Sequence, residues 1–297
     1  MIAIVIFHHG WMVIPGVTAF FSRFGLWGVD IFLFLSGFGC VYALNKYTTI
    51  QFWRKRITRI LPTCILVGVL IYCIDLYIHA ERTITYLPIR LLSLHRWYIQ
   101  AILICYLCCP LAYFILKKYK TWGLFTMIVA LIALQPFVPA DKVWKLSWVI
   151  PRMPVFLIGM YIAEFDLKLN RIAYIISGLC LIGAIIIRCW GEDTFLQWPY
   201  FLAAAMPFIC ETLCRIKPIF DKLHLTKVIE LMGLYSLEIY LIHEYFYWAL
   251  YKTSLPLWGK YILFLFIVST LCFVVKKTTG FILNSLNNLR SNSPHSL

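Results

Sequence analysis

The stretch GLWGVDIFLFLSGFGCVYALNKYTTIQFWRKRITRILP, Gly25 to Pro62, decides the fold. Its first twenty residues carry a single charge, Asp30. A helix rises 1.5 Å per residue, so a run of this length is enough to cross a bilayer. Charge then arrives at once, with Lys46, Arg54, Lys55, Arg56 and Arg59 following the apolar run. An apolar run that ends in a cluster of cations marks the cytoplasmic end of a membrane helix.

The pattern holds for the rest of the chain. Of 297 residues, 62% are hydrophobic and 13% charged, and the mean hydropathy is +0.82. A soluble domain is about 45–50% apolar and about 25% charged, because charged groups must cover its outside. The composition therefore excludes an ordinary soluble fold, and also disorder, which requires low hydrophobicity. A disulfide scaffold is excluded as well, since the 11 Cys lie within apolar stretches.

Apolar runs bounded by charges, Pro or Gly fall at 1–21, 24–44, 60–79, 97–116, 122–140, 148–165, 171–190, 198–214, 231–251 and 257–276. They predict an all-α, polytopic transmembrane helix bundle of about ten spans. One transmembrane domain covers 1–283, and a polar cytoplasmic tail covers 284–297. The net charge of +14 comes from 27 Lys and Arg against 13 Asp and Glu. With the Gln51–Pro62 loop inside, 17 cations share its side and 10, Arg152 among them, lie on the other. Both termini are then cytoplasmic.

Met1 leads straight into IAIVIFHHGWMVIPG, with neither the basic region nor the cleavage site of a signal peptide. The expectation is a first span whose cytoplasmic end is missing. No P-loop, dinucleotide-binding glycine motif or zinc spacing occurs, so no metal and no nucleic acid is expected. Cys105-Tyr-Leu-Cys108 sits in an apolar run beside Cys109 and Pro110 and reads as helix packing.

Ionisable groups within spans are costly and so are candidates for function: His8, His9, Asp30, Asp75, Glu164, Arg188, Glu211, Glu238 and His243. His8 and His9 point about 100° apart on a helix. One can face the interior as a proton acceptor, or serve as a hydrogen-bonded packing residue. Asp30 can pair with a first-span histidine and orient its imidazole, or sit at headgroup level near a helix N-terminus. Ser36 and Gly37 give the same helix a small face for close approach. Arg56 and Arg59, three apart, share a helix face. Their guanidinium forks can converge on phosphate oxygens, or can anchor the loop to anionic lipid.

In order and spacing, VIFHHG, GVDIFLFLSGF and FWRKRITRILP resemble the opening of the acyltransferase family 3 proteins, bacterial integral-membrane acyltransferases that commonly O-acetylate cell-surface polysaccharides. HRWYIQAILICYLCCP (His95–Pro110), PRMPVFLIGMYIAE (Pro151–Glu164) and YSLEIYLIHEYF (Tyr235–Phe246) extend the likeness from Met1 to about Lys277. The resemblance implies that His8 is the first-span histidine thought to act in catalysis, and Asp30 is the candidate carboxylate to orient it. It also implies that Arg56 and Arg59 are the arginine pair that handles acyl-CoA. The family's pattern includes an Arg or Lys upstream of the histidine, at a position that here falls before Met1.

The implied function is transfer of an acyl group, acetyl above all, from acyl-CoA as co-substrate to a hydroxyl of a surface or lipid-linked glycan. The implied location is the bacterial inner or plasma membrane, in contact with lipid, with room for a separate extracytoplasmic partner. The alternative is a polytopic transporter or flippase of lipid-linked sugars. Against it, no matched pair of Gly- or Pro-broken spans stands in the two halves.

Overall fold

The computed structural model describes residues 24–78, 96–138, 145–190, 198–251 and 253–291, and among them every regular element is helical. The helices are α1 (Trp27–Lys46), α2 (Thr49–Ile78), α3 (Trp97–Leu134), α4 (Leu146–Val149), α5 (Met153–Phe165), α6 (Arg171–Trp190), α7 (Trp198–Lys222), α8 (Thr226–Leu234), α9 (Ser236–Tyr251) and α10 (Leu257–Ser291). Single 3₁₀ turns at Gln135–Phe137 and Ile150–Arg152 follow α3 and α4. Six of these segments are long and apolar enough to cross a membrane: Trp27–Lys46, Thr49–Ile74, Trp97–Phe137, Leu146–Phe165, Arg171–Cys189 and Trp258–Ser285. The run at 1–21 lies outside the described residues, and α7 and α9 fall outside the six. α10 continues through the polar segment after Asn284 to Ser291.

The chain divides into two compact units, residues 2–57 with 95–227, and Met1 with 58–94 and 228–297. The first unit holds the helix pair on which the site depends. Gly37 of α1 and Gly159 of α5 stand at their crossing. A Cβ on Gly37 would lie 2.1 Å from the Phe156 carbonyl oxygen, and one on Gly159 would lie 2.2 Å from that of Phe34. The backbones touch there because neither residue has a side chain, which is how membrane helices gain packing without a hydrophobic driving force. Asp30, seven residues before Gly37, meets Arg152, seven residues before Gly159, so the two helices run in parallel.

Replacing either glycine by alanine forces the helices apart. The expected loss is about 1–3 kcal/mol or more, read as a lower thermal midpoint of the detergent-solubilised protein. Gly280→Ala in α10, where nothing lies within 4 Å of the added Cβ, should leave the midpoint unchanged or raise it, since alanine favours the helix by up to about 1 kcal/mol.

α3 is 38 residues long, and at Lys120 its backbone leaves helical geometry with φ 50° and ψ −127°. In a straight helix Ile115 and Gly123 would be about 12 Å apart, yet a Cβ on Gly123 would stand 2.8 Å from the Ile115 carbonyl oxygen. The chain therefore doubles back. Its two ends meet at α4, where the Trp97 ring lies 6.2 Å from that of Trp148 and Gln135 Nε2 donates to the Ser147 carbonyl at 3.5 Å. The runs predicted at 97–116 and 122–140 are the limbs of this hairpin.

α6 packs on α7. Ile172, Ile175, Leu179, Ile182 and Ile186 point outward, exposed, while Ser177 and Ala184 are buried, the apolar-outside arrangement that hydrocarbon permits. Ser177 repairs its neighbour. Its hydroxyl donates to the Ala204 carbonyl at 2.7 Å and accepts the Phe208 N–H at 3.1 Å, bridging a rung of α7 beside Pro207.

In the second unit α9 packs on α10. Lys276 Nζ donates to the Leu234 carbonyl at 3.1 Å and lies 3.3 Å from the buried Glu238 carboxylate.

Candidate functional site

Asp30 lies on α1 seven residues before Gly37, and Arg152 lies on the turn entering α5 seven residues before Gly159. Two parallel helices that touch at the glycines bring residues at equal offsets level, and these two side chains meet. Arg152 Nε is 3.3 Å from Asp30 Oδ1, with both side chains at 0% exposure. The contact is an ion pair rather than an aligned hydrogen bond. Neither oxygen of Asp30 has a hydrogen-bond partner among the described residues.

Indoles surround the pair. The Arg152 guanidinium lies 4.6 Å from the centroid of the Trp97 ring and 5.0 Å from that of Trp198, and its Nη1 donates to the Trp148 carbonyl at 2.9 Å. Trp27, one turn before Asp30, stacks on Trp198 at 6.4 Å. Cation–π contacts of this kind strengthen once water is excluded. An isolated charge here would be prohibitive, and the pair is tolerated because each member neutralises the other.

The C-terminal end of α1 carries a second feature. Arg56, half-buried at the start of α2, donates from Nη2 to the Gly39 carbonyl of α1 at 3.0 Å. Its guanidinium stands 5.6 Å from the Phe52 ring centroid and 5.3 Å from that of Tyr106. Trp53 Nε1 donates to the Tyr106 carbonyl at 2.9 Å, which ties α2 to α3. Lys117 lies 3.8 Å from Glu164, and Tyr113 donates to Asn45 Oδ1 at 2.5 Å.

Of the residues singled out in the sequence, His8 and His9 lie outside the described residues. Asp30 is buried in the first turn of α1, with Arg152 beside it. Arg56 is half-buried and held, whereas Arg59 is exposed and belongs to the second unit. Asp30 and Arg56 do not meet: from Asp30 to Gly39 is nine residues, about 14 Å along the axis of α1.

Of the remaining candidates, the Asp75 side chain lies outside the described residues, and the others have partners. Glu211 pairs with Arg215 at 2.9 Å, His243 Nδ1 meets the Ile239 carbonyl at 2.8 Å, and Arg188 lies 5.8 Å from the Trp198 ring centroid. Cys109 Sγ packs 3.8 Å from Met160 Sδ. Among the described residues no group of three or more His, Cys, Asp or Glu can hold a metal ion.

Arg152 is the member of this buried pair that the sequence alone hides. Set between Pro151 and Met153 near a span end, it counts as one of the ten outer-side cations. A signal was nevertheless present, since an aspartate buried by its apolar neighbours requires a cation, and Arg152 starts a glycine-bearing span like its own.

A family described as an acyltransferase domain, acyltransferase family 3, matches residues 1–277. No curated protein matches the chain, and no solved structure does.

Proposed function

The chain belongs to acyltransferase family 3, and from that premise we propose that this membrane acyltransferase moves an acetyl group from acetyl-CoA to a hydroxyl of a lipid-linked or cell-surface glycan. His8 is the base, Asp30 orients it, and Arg56 with Arg59 receives the phosphates of CoA. The setting is a bacterial inner membrane, with about ten spans and both termini in the cytoplasm, the side that holds 17 of the 27 cations.

The observation that carries this proposal is the spacing on α1. A cytosolic cofactor meets Arg56 at the inner end, while the buried Asp30 carboxylate lies about 14 Å farther along the helix. The pantetheine arm of CoA, built of amides and single bonds, spans on the order of 15 Å when extended. With its phosphates held at Arg56 by charge-assisted hydrogen bonds, the thioester reaches the depth of Asp30, and no carrier residue is needed.

There the hydroxyl proton of the sugar passes to the His8 imidazole as the hydroxyl oxygen bonds to the thioester carbonyl carbon. The C–S bond breaks, and the CoA thiolate takes up the proton that the imidazolium releases. The ionised Asp30 holds the imidazole in one tautomer and stabilises the imidazolium.

Kinetics test the cofactor assignment. Arg56→Gln and Arg59→Gln should each raise KM for acetyl-CoA about tenfold or more, the worth of a charge-assisted contact of about 1.5–3 kcal/mol, with kcat nearly unchanged. Added salt should weaken binding less in the variants than in the unaltered protein. An unchanged KM in both variants sinks the assignment.

A further inference from the structure

Resting on that acyl-transfer reading, we propose that Arg152 is a positioning residue, fixing the Asp30 carboxylate in its charged form and in one orientation so that its open side directs the base. A carboxylate at 0% exposure stays charged only with a cation beside it. A guanidinium serves better than an ammonium or imidazolium because it does not lose its proton at any working pH.

The surroundings keep that charge in place. Nη1 is committed to the Trp148 carbonyl, and the indoles of Trp97 and Trp198 lie against the guanidinium. The side chain therefore cannot swing toward a substrate, and its Nε edge faces Asp30 Oδ1. Asp30 Oδ2 remains, buried and without a hydrogen-bond partner among the described residues, for the group it orients.

The other titratable groups nearby stand behind this shell. Arg188 lies over the Trp198 ring at 5.8 Å and Lys145 over that of Trp148 at 5.9 Å, while the Tyr200 hydroxyl donates to Gln135 Oε1 at 2.7 Å. Among the described residues Arg152 is thus the cation in contact with Asp30, and it governs its ionisation.

The test uses the full chain in lipid vesicles as the unaltered protein, Arg152→Gln, Arg152→Lys, Asp30→Asn, and the Asp30→Asn/Arg152→Gln double variant. The thermal midpoint needs no activity. Each neutralising single substitution should lower it, and the double should recover most of the loss, because no buried charge is left alone. Losses that simply add overturn the pairing.

The second readout is the pH dependence of kcat with acetyl-CoA. Asp30 must be ionised for the base to work, and without its cation it holds its proton to higher pH. Arg152→Gln should therefore lower kcat about 10- to 100-fold at neutral pH, a share of what a positioned base contributes. Its acid limb should move to higher pH with KM for acetyl-CoA unchanged. Arg152→Lys should keep the limb in place and recover part of the rate. An acid limb unmoved in Arg152→Gln overturns the positioning role alone, whereas absence of turnover in the unaltered protein overturns the acyl-transfer reading.

Discussion

Asp30→Ala is expected to destabilise the protein by about 3–5 kcal/mol, the cost of leaving one member of a buried ion pair alone. The guanidinium of Arg152 would remain at 0% exposure against two indoles, with no counter-charge and no water to replace it. Domains are stable by only about 5–15 kcal/mol in total, so a large fraction of the variant should fail to fold. Replacing both partners with apolar residues of similar size, as in Asp30→Leu/Arg152→Met, should restore most of the loss, because desolvation of both charges is then avoided. The rings of Trp97 and Trp198 lie against the guanidinium, and tryptophan fluorescence during unfolding reads the midpoint of the fold that encloses the pair. A midpoint in Asp30→Ala equal to that of the unaltered protein contradicts the buried pair.

His8→Ala should act in the opposite way, with a large effect on rate and a small one on stability. A positioned base contributes about 10²- to 10⁴-fold, because a sugar hydroxyl is far too weak an acid to attack a thioester unaided. Binding of acetyl-CoA through its phosphates should survive, as should the thermal midpoint. His8→Asn should be equally slow, since an amide can hydrogen bond but cannot take the proton. Transfer by either variant within a few-fold of the unaltered rate removes His8 from the chemistry.

The two effects follow from what a sequence can express. Helices were legible because apolar runs of span length have few alternatives in a chain this hydrophobic. Even the reversal at Lys120 was foreshadowed, since the KKYK cluster interrupts the run at the turn. Gly37 was legible as a point of close approach, but its partner Gly159 was not, because which helices touch is a tertiary fact.

The same limit hid Arg152. Counting cations by side treats each one as a surface group, and only the crossing of α1 with α5 turns this one inward. Arg56 and Arg59 read as equivalent on a helical face, yet packing against Phe52, Tyr106 and Gly39 half-buries the first and leaves the second exposed. That Asp30 needs a partner was visible from its own neighbours, as a lone carboxylate in an apolar run, but that Arg152 meets it was not.

The most direct measurement follows the acetyl group. The purified protein, reconstituted in lipid vesicles, is given acetyl-CoA labelled in the acetyl group together with a lipid-linked glycan, and the alkali-labile ester on the glycan is counted over time. The account predicts steady labelling by the unaltered protein and a loss of about 10²-fold or more in His8→Ala, with CoA binding retained by both. No labelled ester from the unaltered protein, or equal labelling by His8→Ala, would contradict it.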